Sequence, residues 1–311
     1  MNYSIEFNND IKRCPNCLNS EDQAKIINLN NSYTIINDVH VLIEKPQKHY
    51  LMECSLCNIV YKSHFPDFET ESILTNIWKK HSETRYQNSP SKRLTKITDF
   101  IKNLSITQKK PIKVLDIGVG EGSYLKLLSS EDNIDLYMMD CDREVLEDLK
   151  KKINANTVLA DIGSLKDIEH LKGTFDVITA FDLIEHIPSS IFLENIYYML
   201  KPGGQFLAET GNKDNLFCKI FGFQNWWYLS ILEHKVFWSK PSLLKALKAI
   251  GYNEVLISKV IHKDRRENVL LKDAVKSIIW IIKALLLRRD LDRLRNPKFP
   301  IKDQLYIEAT K

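Results

Sequence analysis

From residue 113 onward, short continuous runs of apolar residues alternate with stretches whose apolar positions have helical spacing. The runs predict strands that are buried on both faces, as in a parallel sheet. Predicted helices over 124–128 and 144–153 lie between them. This alternation predicts an α/β fold with a doubly wound, mostly parallel, seven-stranded sheet. The seven predicted strands are 114–117, 136–139, 157–160, 175–180, 205–209, 255–257 and 305–309.

The pattern before residue 111 is different. Apolar segments at 33–36, 39–43 and 59–61 predict short strands, and 69–104 has helical spacing that a polar loop interrupts. We therefore expect the chain to be built from several successive parts. They are an N-terminal lobe (1–68), a helical linker with a loop (69–110), the α/β core (111–260), an insertion (261–302) and a final core strand (303–311).

The predicted insertion carries the net charge of the chain. The whole chain has 44 basic and 40 acidic residues, a formal charge of +4, and residues 262–300 contain eleven of the basic and five of the acidic ones. Within the insertion, 270–287 predicts an amphipathic helix with a broad apolar face beside a stripe of lysines. Such a helix packs on its own domain, associates with a second copy, or lies on an anionic membrane surface. All three alternatives stay open.

Composition excludes several classes of protein. An apolar fraction of 44% with 27% charged residues is not that of a disordered or collagen-like chain. The chain shows no signal-peptide pattern and no apolar run of about 18 residues, which favours a cytoplasmic protein. Peripheral contact at the inner face of the membrane remains an alternative through the insertion. A charge of +4 is too dilute to indicate nucleic-acid binding.

Four of the six cysteines form two CxxC pairs, Cys14 with Cys17 and Cys54 with Cys57. Two such turns bring four thiolates to one tetrahedral site, which is the arrangement that structural Zn²⁺ accepts. Four thiolates leave no open coordination position, so we expect a structural ion and not a catalytic one. The lobe 1–68 is therefore predicted to be a zinc ribbon. Disulfides and redox chemistry are the alternatives, and a reducing compartment disfavours disulfides. The isolated Cys141 and Cys218 are predicted to be packing residues.

A glycine-rich segment follows the first predicted core strand, with Asp116, Gly118 and Gly120 in the order Asp-Ile-Gly-Val-Gly-Glu-Gly. This GxGxG spacing differs from the GxGxxG that cradles a dinucleotide pyrophosphate. Asp140 ends the second core strand, where a carboxylate accepts from both ribose hydroxyls, and Asp161 ends the third, where it accepts from an adenine amino group. Together these positions predict an adenosine ligand that needs no phosphate.

Three blocks of the core resemble the signature blocks of class I S-adenosylmethionine-dependent methyltransferases. They are VLDIGVGEGSYL (114–125), FDVITAFDLIEHI (175–187) and LKPGG (200–204). The resemblance covers residues 110–260 and the C-terminal strand, and it implies S-adenosylmethionine as the cofactor. It also implies that Asp116, Gly118 and Gly120 hold the methionine moiety, Asp140 the ribose and Asp161 the adenine.

A four-cysteine ribbon ahead of such a core is similar to the sugar C-methyltransferases that act on nucleotide-linked deoxysugars, and to surface-glycan methyltransferases. The loop 86–91 resembles a cofactor-contacting loop of that group, which implies Tyr86 as a cofactor contact, and 233–243 resembles its Glu-His segment. Ile231 stands where the sugar C-methyltransferases carry Tyr. Methylation of oxygen, nitrogen or carbon therefore stays open. The aromatic run 226–228 predicts either a pocket wall or core packing.

Methyl transfer to a hydroxyl or an acidic C–H needs a base, and histidine is suited to that role near neutral pH. His234, paired with Glu233, is the first candidate, and His186, which follows Glu185, is the second. Both histidines have a purely structural alternative. Asp182 is expected either to face the methyl site or to cap a helix.

We expect a small molecule or glycan as the acceptor, in a pathway such as polysaccharide biosynthesis. An RNA or protein methyltransferase is the alternative among enzymes, since zinc ribbons also hold macromolecules. The ribbon lacks a basic stripe with interleaved aromatic residues, so we expect no nucleic-acid partner. A catalytically inactive scaffold with this fold is the alternative outside enzymes.

Overall fold

The computed structural model describes residues 9–10, 13–18, 24–28, 33–36, 39–42, 50–65, 92–223, 226, 228–229, 234–261, 275, 279 and 302–311. The chain divides into two compact units. The first comprises Met1–Asn88, Gly211–Ser242 and Lys259–Gln304, and the second Ser89–Thr210, Leu243–Ser258 and Leu305–Lys311. The predicted boundaries of the lobe, linker, core and insertion stay predictions.

Several predicted features lie outside the described residues. They are the helical stretch before residue 92, the loop with Tyr86, Glu233, and most of the insertion. Of the predicted amphipathic helix 270–287, the structure describes Val275 and Ile279, which are helical and exposed. Among the described residues, no helix is long and apolar enough to cross a membrane.

The strands of the first unit form three small sheets. The strands are β1 (Asn9–Asp10), β2 (Ala24–Asn28), β3 (Tyr33–Ile36), β4 (Val39–Leu42), β5 (Tyr50–Cys54), β6 (Val60–Lys62), β7 (His64–Phe65) and β13 (Val236–Phe237). The largest sheet has the order β13-β6-β5-β2, while β1 pairs with β7 and β3 with β4. The short strands predicted at 33–36, 39–43 and 59–61 are confirmed. Helix α6 (Leu216–Phe221) also belongs to this unit.

Aromatic packing builds the core of the first unit. Trp226 and Tyr228 are buried together with Phe217, Phe237 and Leu51. The rings of Trp226 and Tyr228 lie 5.0 Å apart, centre to centre. These two members of the aromatic run therefore pack in the core of their unit, while Trp227 lies outside the described residues.

The second unit contains the predicted seven-stranded sheet, in the order β10-β9-β8-β11-β12-β15-β14. Its strands are β8 (Ile112–Ile117), β9 (Ile134–Asp140), β10 (Asn156–Leu159), β11 (Phe175–Phe181), β12 (Leu200–Gly211), β14 (Glu254–Val260) and β15 (Gln304–Thr310). From β10 to β12, each neighbouring pair is parallel. The helices are α1 (Lys92–Gln108), α2 (Leu125–Leu128), α3 (Arg143–Lys150), α4 (Leu165–Ile168), a 3₁₀ turn (Glu169–Leu171), α5 (Ile191–Met199) and α7 (Lys240–Ile250). The prediction of a doubly wound α/β sheet is confirmed.

Burial on both faces explains the apolar runs. In β11, the central strand of this order, every residue from Phe175 to Ala180 is buried. At the start of this strand, Asp176 accepts hydrogen bonds from the Lys113 amide at 2.8 Å and from Lys201 Nζ at 2.6 Å. Because these partners lie in β8 and β12, the buried carboxylate ties the strand to both neighbours and is itself paired, as burial requires.

We expect Ile178→Ala to lower the free energy of unfolding by about 2–5 kcal/mol, because it leaves a cavity in the central strand. Ile178 is 0% exposed, opposite Leu115 on one side and Phe206 on the other. The measurement is urea denaturation followed by circular dichroism. Leu159→Ala is the control, since Leu159 lies in the edge strand β10 and is 44% exposed. Equal losses in both variants would contradict this description of the core.

Candidate functional site

The carboxyl ends of β8, β9 and β10 meet at one edge of the sheet. In register, Ile117 lies opposite Met139, and Leu159 opposite Asp140. Asp116 is the last residue but one of β8, Asp140 ends β9, and Asp161 follows β10 by two residues. The structure thus brings the three predicted carboxylates to the same edge, which is where ligands bind in open α/β sheets.

The turn after β8 contains three glycines with positive φ angles: +68° at Gly118, +49° at Gly120 and +62° at Gly122. A side chain at Gly118 would place its Cβ 2.7 Å from Leu183 Cδ1, and one at Gly122 would place it 2.5 Å from Ile153 Cδ1. A Cβ at Gly120 would meet nothing within 4 Å. All three positions therefore have a backbone conformation that favours glycine. Among them, Gly120 alone borders open space that a ligand can fill.

Asp116 is a buried carboxyl group, 4% exposed. Thr179 Oγ1 donates to its Oδ1 at 2.8 Å. The pKa of Asp116 is raised to about 7, chiefly because the group is buried; the hydroxyl groups of Thr179 and Tyr124 oppose this rise, and the nearby charge of Asp140 adds to it. A cationic ligand group would stabilise the ionised form, so this position favours a positively charged partner.

Local turns orient the other two carboxylates. The amide of Asp142 donates to Asp140 Oδ1 at 2.9 Å, and the amide of Gly163 donates to Asp161 Oδ1 at 2.8 Å. Asp161 is exposed at the strand end. Ionised carboxylates only accept hydrogen bonds, so this pair suits ligand hydroxyl and amino groups.

The segment after β11 contains a residue in a sparsely populated conformation. Asp182 has φ +52°, and its amide donates to Glu209 O at 3.1 Å. The expectation that Asp182 caps a helix is wrong, because the next helix begins at Ile191. Strain of this kind is concentrated at functional segments. Nearby in sequence, Glu185 is buried and accepts from Thr210 Oγ1 at 2.8 Å, and His186 is half-buried.

In the first unit, His234 is half-buried and held by the backbone of Tyr228. Its Nδ1 lies 2.7 Å from Tyr228 O, and the two rings lie 4.2 Å apart, centre to centre. A carbonyl oxygen only accepts, so Nδ1 carries the hydrogen of this bond. In the neutral ring, Nε2 then bears the lone pair that accepts a proton.

The four predicted metal ligands form one cluster in the first unit. Cys14 Sγ lies 3.5 Å from Cys57 Sγ, Cys17 Sγ lies 3.5 Å from Cys54 Sγ, and all four sulfurs lie within 4.8 Å of one another. The cysteines are free, so the disulfide alternative is wrong. A tetrahedral ion with Zn–S bonds of about 2.3 Å would hold its sulfurs about 3.8 Å apart. The spacing of the thiols therefore fits a tetrahedral thiolate site.

The two CxxC turns have the same geometry. Leu18 N donates to Cys14 O at 2.9 Å, and Asn58 N donates to Cys54 O at 3.0 Å. Leu18 and Asn58 both have positive φ angles, +58° and +57°. Each turn thus presents its two thiols in the same way, although neither closes with the glycine that this conformation prefers.

The contact between Cys14 and Cys57 shifts the pKa values of the two thiols in opposite directions. A hydrogen bond from Cys14 lowers the pKa of Cys57 to about 5, and the same contact together with burial raises the pKa of Cys14. This contact favours the thiolate form of Cys57, and a bound cation would stabilise further thiolates.

The isolated cysteines differ from each other. Cys218 is buried and accepts a hydrogen bond from Asn215 Nδ2 at 3.1 Å, which confirms the prediction of a packing residue. Cys141 is exposed, so the same prediction is wrong there. It follows Asp140 at the end of β9, where the strand leaves the core.

Comparison with known proteins identifies the domain. A family model described as a methyltransferase domain matches residues 90–257. No curated protein matches the chain. Among solved structures, a SAM-dependent methyltransferase from Archaeoglobus fulgidus is 19% identical, with 74% of this chain and 97% of that chain covered and a TM-score of 0.45.

Two further structures show a similar degree of likeness. Phosphoethanolamine N-methyltransferase 2 from Haemonchus contortus is 19% identical, with 81% of this chain and 63% of that chain covered and a TM-score of 0.48. A SAM-dependent methyltransferase from Thermotoga maritima is 15% identical, with coverages of 67% and 86% and a TM-score of 0.43.

The family match spans more than half of the chain. The chain therefore belongs to the methyltransferase-domain family, which supports S-adenosylmethionine-dependent methyl transfer as its activity.

Proposed function

We propose that the protein transfers the methyl group of S-adenosylmethionine to a small molecule, and that this acceptor is a nucleotide-activated or glycan-bound sugar. The observation that carries the cofactor assignment is the open glycine turn at Gly120 beside the carboxylates of Asp116, Asp140 and Asp161. When bound, the cofactor supplies a methyl carbon activated by a sulfonium.

Each carboxylate has a role that its surroundings support. Asp116, a buried carboxyl group with a raised pKa, would bind the cationic methionine end. Gly118 and Gly120 would hold this end through the turn that their positive φ angles allow, and Gly120 leaves open space for it. Asp140 would accept from the ribose hydroxyls, and Asp161 from the adenine amino group. Their order along the edge follows the order β8-β9-β10 of the strands, so an extended adenosine ligand would meet them in turn.

We propose His234 as the general base. Its Nδ1 donates to Tyr228 O at 2.7 Å, so Nε2 is the nitrogen that would take the proton of the acceptor as the new bond to the methyl group forms. Glu233 would orient this histidine or bind a substrate hydroxyl. His186, in the second unit, remains the second candidate for a catalytic or substrate-contacting group.

The sugar assignment rests on the combination of a four-thiol cluster with a methyltransferase domain, the combination that resembles sugar and surface-glycan methyltransferases. The proposal includes oxygen, nitrogen and carbon as acceptor atoms, because Ile231 replaces the Tyr of the carbon methyltransferases.

The sugar assignment is tested by incubating the protein with radiolabelled S-adenosylmethionine and a panel of nucleotide sugars. Transfer to none of them, with transfer to RNA or protein, would contradict the sugar assignment.

We propose that Cys14, Cys17, Cys54 and Cys57 hold one structural Zn²⁺. The fit of their sulfur spacing and the matched turns support this ion, and four protein thiolates would close its coordination shell. The ion would stabilise short strands that bury little apolar surface of their own.

Gly120→Ala is expected to weaken binding of S-adenosylmethionine more than it weakens the fold, because its methyl group would enter the open space. Gly122→Ala is the matched variant. It introduces the same conformational strain, but its methyl group would collide with Ile153 in the core, so the loss should be in stability. Calorimetric titration with the cofactor and thermal unfolding separate the two effects.

Wild-type protein that gives neither heat nor a thermal shift with S-adenosylmethionine would refute the cofactor assignment. A Gly120→Ala variant that binds as tightly as wild type would show that the ligand does not approach this turn.

Cys54→Ser is expected to lower the zinc content from about one ion per chain to near zero, since one of four thiolates is lost. Atomic absorption on purified protein measures it. Cys141→Ser is the control, because this exposed cysteine lies outside the cluster. A folded wild-type protein without metal would contradict the proposed site.

His234→Gln is expected to lower kcat by about 10²–10⁴-fold, while the affinity for S-adenosylmethionine stays unchanged, because the change removes a base and not a cofactor contact. His170→Gln, at an exposed position in the 3₁₀ turn, is the control. Turnover is measured with a sugar that the panel identifies. If His234→Gln keeps its rate and His186→Gln loses it, the base is His186.

A further inference from the structure

A chain of three buried side chains lies behind the glycine turn. It connects Asp116 at the end of β8, Thr179 in β11 and Tyr124 just before α2. Thr179 is 0% exposed, and the other two are 4% exposed. Thr179 Oγ1 lies at the centre, hydrogen-bonded to Asp116 Oδ1 at 2.8 Å and to the hydroxyl of Tyr124.

The hydroxyl of Thr179 has one hydrogen and two acceptors within reach. Besides Asp116 Oδ1, the backbone oxygen of Leu115 lies 3.2 Å from Oγ1. A threonine hydroxyl donates one hydrogen bond and accepts up to two. Its hydrogen can therefore point to Asp116 or to Leu115, and either orientation leaves Oγ1 able to accept from Tyr124.

Both protonation states of Asp116 are satisfied by this arrangement. With the carboxylate ionised, Tyr124 donates to Thr179 and Thr179 donates to Asp116, so both hydroxyls support the charge. With the carboxyl protonated, Asp116 donates to Thr179, and Thr179 turns its hydrogen to Leu115 O. A buried polar group normally tolerates one state only, because the other leaves a donor or an acceptor unpaired.

We propose that Thr179 and Tyr124 are positioning residues that allow the Asp116 carboxyl to exchange its proton when the cationic end of the cofactor binds. The inference rests on the proposed cofactor role of Asp116. The proton leaves Asp116 to solvent on binding and returns on release, while Thr179 reorients and no covalent bond to carbon or sulfur changes.

The charges around Asp116 set the pH range of this exchange. Burial disfavours its ionisation, Thr179 and Tyr124 favour it and Asp140 from β9 disfavours it, and together they raise its pKa to about 7. Below that pH the folded protein holds the proton, and a cation must displace it. Binding of S-adenosylmethionine should therefore strengthen as the pH rises towards 7, by about tenfold per unit when one proton is released.

Three substitutions test the role of this chain of side chains. Thr179→Val removes the central hydroxyl with little change in shape, Thr179→Ser restores it, and Tyr124→Phe removes the outer donor. Thr98→Val and Tyr252→Phe are the controls, since each removes the hydroxyl of another buried side chain of the second unit.

The first measurement is the ¹³C carboxyl shift of Asp116 against pH in cofactor-free protein, assigned with Asp116→Asn. The second is the calorimetric affinity for S-adenosylmethionine over the same pH range.

Thr179→Val should raise the titration midpoint of Asp116 by about one pH unit or more, because the ionised form loses a charge-assisted hydrogen bond. Tyr124→Phe should raise it in the same direction, and Thr179→Ser and both controls should keep the wild-type midpoint. The pH at which cofactor binding strengthens should move together with it.

An unchanged midpoint in both Thr179→Val and Tyr124→Phe would overturn the proposal. If Thr179→Val does not fold, Tyr124→Phe decides the question alone. Because the first measurement uses no cofactor, it separates two failures. Suppose that the midpoint moves in the variants but the protein does not bind S-adenosylmethionine. This result refutes the proposed function and supports the role of the chain of side chains.

Discussion

Parallel pairing of β8 with β9 and β11 is the constraint on which the second unit depends. Strands that run in one direction end at one edge, so Asp116 and Asp140 come together there although 24 positions separate them in the sequence. β8 is buried along most of its length, which takes the carboxyl group of Asp116 out of water. Its raised pKa and its need for the hydroxyl of Thr179 both follow from that burial.

The first unit depends on a different constraint. Its described strands have two to five residues, and such short strands bury little apolar surface. Two CxxC turns with matching backbone bonds bring four thiols to one point between distant parts of the chain. The ion that we propose would supply stability that a larger apolar core gives in other domains. The packed rings of Trp226 and Tyr228 bury apolar surface in the same unit.

Local patterns predicted most of the fold and part of the candidate site. The seven core strands, the glycine turn and the thiol cluster were predicted because spacing along the chain expresses each of them directly. Of the two alternatives for Asp182, the helix cap was wrong, since a cap needs a helix directly after it and the next helix begins nine residues later, at Ile191. The exposure of Cys141 was missed because burial at a strand end depends on what packs over it.

Alone, the sequence determined the α/β class, the methyltransferase blocks and the four cysteines that form one cluster, because periodicity and motif spacing are properties of neighbouring residues. Only the tertiary structure decided that Thr179 meets Asp116, which is 63 positions away, and that Tyr124 completes the chain. A threonine among the apolar residues 177–181 of β11 was the one available signal. The partner of that hydroxyl depends on which strands are neighbours, and strand order is set by packing of the whole sheet.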